Sequence, residues 1–273
     1  MKIAIAQLNS VNHIQKNLTE IENLIVECLH LPLEERPKII FFPENSLFFR
    51  IDENEKIQAI ELSDDIFKKL QALSDRTQFH LHLTTAIYHE QKNWNASVLI
   101  SPNTEPQIIY KKIHLFDIAL IDQKPIRESD VFAEGSAPAI FEIDGIKFGS
   151  SICYDLRFSE LYSAYAKHEV DAILVPAAFL VKTGAAHWDV LLRARAIESQ
   201  CYVLAPAQSG LHQSVTSQQS RSTYGHAMAV APWGDVICQK ASGTGVLFLD
   251  ISSDQCRQVR SQIPMKNHRR LSF

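Results

Sequence analysis

Short, unbroken apolar runs alternate with amphipathic stretches along most of this chain, and that alternation restricts the fold more than any other feature. KIAIAQL (2–8), KIIFF (38–42) and DAILVP (171–176) are too short for helices and apolar on both faces. Such strands need cover on both sides, as in a sheet with helices packed against it. Helical patterns lie between them. Ile14, Leu18, Ile21, Ile25 and Cys28 share one face, with Asn12 as the expected cap. Ser63 is placed to cap a helix with Ile66, Leu70 and Leu73 inside. Phe158, Leu161 and Tyr165 mark another helix, and residues 186–200 a strong one carrying Trp188, Leu191, Ala194 and Ile197. Further strands are expected at 79–88, 96–101, 107–111, 201–206, 224–231 and 246–251. FEIDGIKFGSSI (141–152) reads as a hairpin turning at Asp144-Gly145. The class is therefore α/β. Residues 115–138 show no period and read as a long functional loop. No linker or composition shift divides the chain, so residues 1–273 are read as one domain.

Charge and cysteine usage exclude several function classes. There are 27 Lys and Arg against 31 Asp and Glu, a net of −4, which leaves no basic surplus for nucleic acid. No apolar run approaches the ~18 residues of a membrane span. Met1-Lys2 leads into a short apolar run closed by Gln7, so no secretory leader is expected. Five cysteines at irregular spacing argue against a disulfide framework and for a reducing compartment, the cytoplasm. No C-x-x-C pair and no glycine-rich phosphate loop occurs, so neither metal nor cofactor is expected.

Three segments set reactive groups just past buried strands, where open α/β sheets gather their sites. They are FFPEN (41–45), YKKIHLFD (110–117) and ICYDLRFSEL (152–161). Cys153 sits between a strand and a helix, where amides can lower a thiol's pKa. Alone, it reads equally as an inert buried cysteine. Glu44 is either desolvated and functional or a surface carboxylate, and Lys112 either functional or a solvated strand end. Glu128, in Arg127-Glu128-Ser129-Asp130, looks like an ordinary loop residue. Histidine is the usual base for a cysteine. With His114, His187 and His226 near these segments, a Cys-His peptidase stays open.

Together the segments resemble the nitrilase superfamily of carbon–nitrogen hydrolases, in order and along nearly the whole chain. AHWDVLLRARAIESQCYVLAPAQ (186–208), YGHAMAVAPWGDV (224–236) and the tail Ile263-Pro264 with His268-Arg269-Arg270 are similar to its amidase branch. The resemblance implies a four-layer α-β-β-α sandwich, a homodimer or higher homo-oligomer joined through a helical layer, and a Glu-Lys-Cys triad. The triad is Glu44, Lys112 and Cys153, with Glu128 as second glutamate and the Tyr154 backbone N–H as an oxyanion donor. Arg157, Phe179 and Thr183 are implied to line the substrate site. The implied substrates are water and a small carboxylate-bearing amide, cleaved through a cysteine thioester with release of ammonia. Deaminated glutathione comes first and 2-oxo acid amides, as for omega-amidases, second. A non-catalytic dimeric scaffold is the remaining alternative. The segment DIALIDQKPIRE (117–128) lacks the glycines many relatives carry there, which bears on the substrate.

Overall fold

The computed structural model describes residues 1–52, 54–119 and 125–271. In chain order the elements begin with β1 (Lys2–Leu8), α1 (Ile14–Leu29), β2 (Ile39–Phe41), α2 (Asp65–Thr77), β3 (His80–His89), β4 (Lys92–Ile100) and β5 (Gln107–Lys111). A small ribbon, β6 (Asp117–Ile118) and β7 (Ile126–Arg127), precedes β8 (Ile140–Ile143), β9 (Ile146–Ser150), α3 (Ser159–Lys167), β10 (Ala172–Leu174) and α4 (Val181–Ser199). The chain ends with β11 (Tyr202–Ala205), β12 (Ala207–Gln213), β13 (Ser220–Tyr224), β14 (Ala227–Val230), β15 (Val236–Lys240), β16 (Gly245–Asp250), α5 (Ser253–Gln262) and α6 (Met265–His268).

Two sheets result. The first runs β13-β12-β1-β2-β3-β4-β5, with β16 also paired to β1; the second runs β15-β14-β11-β10-β9-β8. The period of two decides what each face meets. In β1, Ile3 and Ile5 point into the cluster shared with the second sheet, which includes Phe148, Ile173 and Leu204. Ala4, Ala6 and Leu8 point the other way, onto Leu18, Ile21 and Ile25 of α1 and Phe67 and Leu70 of α2. In β2, Ile39 and Phe41 face inward while Ile40 and Phe42 face the helices. Leu161 and Tyr165 of α3 and Trp188, Leu192 and Ala196 of α4 belong to the shared cluster and cover the second sheet. The layers are therefore α-β-β-α.

Some local readings shift. α1 is capped by His13, which accepts from the Lys16 amide. Asn12 is engaged elsewhere: its amide donates to Glu55, Ser214 and Thr216, and its Oδ1 accepts from the Val215 amide. Asp64, not Ser63, is the residue before α2. The buried face of α4 is Trp188, Leu192, Arg195, Ala196 and Ser199. The expected set stepped by three at every turn and so drifted off that face, leaving Ile197 49% exposed. The long 115–138 stretch closes on itself through β6 and β7, and the part of the glycine-poor segment at 120–124 lies outside the described residues.

Candidate active site

Glu44 follows β2 by three residues, Lys112 follows β5 directly, and Cys153 lies past the end of β9. The first sheet brings two of them and the second sheet one, so the facing of the sheets assembles the group. All three, with Glu128, line one inner cleft of about 90 Å³, which Tyr154, Arg157, Phe179 and Thr183 also line.

Lys112 is only 2% exposed. Its Nζ donates to Glu44 Oε1 at 2.9 Å and to Glu128 Oε1 and Oε2 at 3.1 and 2.8 Å. Burial alone would discharge the ammonium, but Glu128 and Glu44 outweigh it and hold the pKa well above its usual value. Asn95 of β4 ties the two carboxylates together: its Nδ2 donates to Glu44 Oε1 and Glu128 Oε1, each at 2.8 Å. Glu44 Oε2 accepts from the Ala178 amide at 3.0 Å, and Glu128 Oε2 from the Phe116 amide at 2.6 Å. Each carboxylate is thus fixed in place by three donor groups.

Cys153 has φ of 47°, in the left-handed region, at the start of a 3-10 turn over Cys153–Arg157. A non-glycine residue there costs roughly 1–2 kcal/mol. Surrounding contacts hold the turn: the Cys153 amide donates to Pro176 O at 3.0 Å, and Asp155 Oδ2 accepts from the Ile152 amide at 2.9 Å. Buried Arg195 on α4 clamps Leu156 O through Nε and Nη2 at 3.0 and 2.8 Å. A sharp strand-to-turn bend of this kind projects a nucleophile clear of the sheet. Burial pushes the Cys153 thiol well up, Glu44 adds to this, and Lys112 opposes it. The resting thiol is protonated and has the Glu44 carboxylate beside it.

Phe179 packs its ring on Trp188 at 4.8 Å, and the Arg157 guanidinium lies 5.6 Å over Phe179 and 5.9 Å from the Tyr154 ring. Arg157 pairs with His187 Nδ1 at 3.1 Å. Asp155 is taken by Tyr110, by His114 and by the Ile152 amide. Thr183 spends its hydroxyl on Leu180 O at 3.3 Å. The three histidines sit outside the cleft lining. His114 bonds Asp155 at 2.7 Å and stacks on Phe158 at 3.7 Å, while His226 bonds Tyr224 O at 2.8 Å. Among the described residues no group of three His, Cys, Asp or Glu side chains is arranged to hold a metal ion.

Sequence reasoning missed Asn95, Arg195, Arg50 and Arg221; the last two also line the cleft. Asn95 lies just outside the expected strand 96–101, and nothing local to the sequence singles it out.

Comparison with known proteins agrees with this geometry. The profile of the carbon-nitrogen hydrolase family matches residues 2–261. The chain is 37% identical over 273 residues to a deaminated glutathione amidase of Synechocystis sp., covering 97% of each chain. It is 35% identical to the deaminated glutathione amidase of Homo sapiens, covering 98% of this chain and 82% of that one. Among solved structures it resembles the Caenorhabditis elegans NitFhit protein with a TM-score of 0.84 and 32% identity. That match covers 98% of this chain and 65% of NitFhit, so this chain spans just under two thirds of the fusion protein. The chain belongs to the carbon–nitrogen hydrolase family, the nitrilase superfamily, as an amide hydrolase.

Proposed function

We propose that this enzyme hydrolyses a small carboxylate-bearing amide, deaminated glutathione first, through a thioester on Cys153. One observation carries the reading: a carboxylate locked between Lys112 and the Ala178 amide stands beside a protonated thiol in one cleft. In the first half-reaction Glu44 takes the thiol proton as sulfur attacks the amide carbon. The oxyanion forms between the Lys112 ammonium and the Tyr154 N–H, donors worth ~3 kcal/mol each when preorganised. Glu44 passes the proton to the leaving nitrogen, and the thioester remains. Water, deprotonated by Glu44, then releases the acid, and the proton returns to sulfur. Glu128 does not touch the substrate; it keeps Lys112 charged and in place.

The leaving group follows from the substrate. A primary amide releases ammonia; a glutathione-derived amide is secondary and releases an amine. The names of the relatives favour the second kind. Arg157, over Phe179, supports an acyl group ending in a carboxylate, which a guanidinium grips with two donors.

The working unit in this reading is one domain, since one apolar cluster draws on both sheets. It forms a homodimer through the α3–α4 layer, where Val190 and Ile197 stand 66% and 49% exposed. Among the described residues no helix is long and apolar enough to cross a membrane, and all five cysteines are free thiols, which supports the cytoplasm.

The test is rapid mixing with an amide substrate, acid quench and weighing. The expected result is one acyl mass on Cys153. A substrate that turns over without any adduct on that thiol defeats the reading.

A further inference from the structure

Six charged side chains line the inner cleft: Glu44, Glu128, Lys112, Arg50, Arg157 and Arg221. Both carboxylates are spent on Lys112. Three guanidiniums therefore face the cleft with no carboxylate partner among the described residues. An excess of two positive charges suits a substrate carrying two negative ones.

The arginines fall into two places. Arg157 stands on the wall made by Tyr154 and Phe179. Arg50 and Arg221 stand where the cleft opens into an adjoining cavity of about 780 Å³, which they line with Ile126 and which Arg157 does not reach. The Arg221 guanidinium lies 5.3 Å over the Phe49 ring, which in turn packs on His212 at 4.3 Å, so its position is set by a packed aromatic pair. Burial draws its pKa below the usual value and Arg50 adds to that, while Glu44, Cys153 and Glu128 act the other way. It therefore feels the reacting groups, and it feels a neighbour of like charge that has no carboxylate partner among the described residues. An anion between Arg50 and Arg221 would relieve that repulsion. The inner cleft alone is smaller than the ~300 Å³ of an ordinary ligand site. It has room for the acyl part of a substrate, and the leaving amine must extend into the adjoining cavity.

We propose that Arg50 and Arg221 form a second carboxylate subsite, which holds an acidic group on the leaving amine, so that the preferred substrate bears a carboxylate on each side of the scissile amide. The subsite rests on the amidase reading above and deepens it. Asp52 and Asp130 also line the adjoining cavity. Their negative charge there favours a single carboxylate seated between the guanidiniums over a diffuse polyanion.

The test uses two secondary amides with the same carboxylate-bearing acyl group. One has alanylglycine as leaving amine, the other its uncharged C-terminal amide. Wild type is expected to favour the charged amine roughly 30-fold in kcat/KM, mostly through KM. In Arg50→Gln and in Arg221→Gln that ratio should fall to about threefold, and Arg221→Lys should restore part of it. Arg157→Gln should slow both amides and keep the ratio. Equal handling of the two amides by wild type overturns the subsite, as does an unchanged ratio in both Gln variants. Should the Gln variants be inactive, calorimetric binding of the two amides to Cys153→Ala decides: a preference for the charged amine upholds the subsite and equal affinity overturns it. If that preference holds but wild type forms no acyl adduct on Cys153, the catalytic reading falls and the subsite stands.

Discussion

Lys112, just past β5, and His82, near the start of β3, are both buried basic groups, exposed to 2% and 0%. Their surroundings are opposite. Lys112 has three carboxylate contacts at 2.8–3.1 Å and is held charged. His82 lies between the sheets near Phe41 and Phe141, with ring centroids at 5.6 and 6.1 Å, and neither ring nitrogen has a hydrogen-bond partner among the described residues. Burial pulls its pKa down to about 3, against a weaker opposing pull from its own backbone, and holds the ring neutral. The difference teaches that burial does not mark a working group. A working group is buried with partners that fix its charge, and it faces a cleft where that charge can act.

The strongest attack on this comparison is at the reacting pair. Cys153→Ala should lose at least about 10³-fold in kcat, because no other group can carry the acyl chain. Glu44→Gln should lose nearly as much, since in the proposed mechanism one carboxylate serves both half-reactions. His114→Ala, His187→Ala and His226→Ala should lose far less, as none of these rings lines the cleft. Steady-state rates with folding monitored by circular dichroism check this. An active Glu44→Gln beside one dead histidine variant would restore the Cys-His mechanism.

A smaller loss is expected one step further out. Glu128→Gln removes the largest of the charges that hold Lys112 protonated. Turnover should fall roughly 10²-fold, the loss of one oxyanion donor. The sign of the pH effect also follows. With Glu128 gone, burial pulls the ammonium's pKa down, so the alkaline limb of kcat against pH should move to lower pH. Turnover within about twofold of wild type and an unmoved limb would return Glu128 to a passive loop role.

The residue pattern placed Glu44, Lys112 and Cys153 past strand ends, while their reading as one set with Glu128 came only from the resemblance to a family. Glu44, Lys112 and Cys153 each follow an apolar run, and such runs mark strand ends by pattern alone. β1, β2 and β10 were legible for the same reason. Asn95 was not, because what makes it matter is Glu44 and Glu128 meeting across 84 residues of chain, and no local pattern carries that. β12 and β13 were missed because AQSGLHQ and SRSTY bury polar side chains such as Gln208, Ser209, His212 and Thr223. Most of their partners come from the start of the sequence: Gln208 Nε2 donates to Ser10 Oγ and to Glu44 O, and His212 bonds Ser10 O as well as Thr223 Oγ1 on the neighbouring strand. Strands stabilised by such partners lack the apolar alternation that a sequence displays. The face of α4 was misjudged because Arg195, a charged residue, belongs to it through Leu156 O.

The mildest prediction returns to His82. Replacing it with Leu keeps the volume of the site nearly the same and removes two buried polar nitrogens that lack partners. Such a group costs about 1–3 kcal/mol, so the variant should be equally or more stable near neutral pH. His82 is not among the residues that line the cleft, and kcat should not change. The acid side separates the two proteins further. In wild type the unfolded chain protonates this ring near 6.5, whereas the folded chain does so only near 3. Between those values the unfolded state binds more protons, so stability falls as pH falls, by about 1.4 kcal/mol per pH unit for one fully titrating group. His82→Leu loses that slope. His212, drawn down to about 4, keeps its own and remains in both proteins. Urea unfolding at a series of pH values from about 7 to 4 should therefore show the variant's advantage widening as pH drops. A variant less stable at pH 7, with the wild-type acid slope intact, would mean that His82 is partnered after all. The contrast with Lys112 would then rest on the cleft alone.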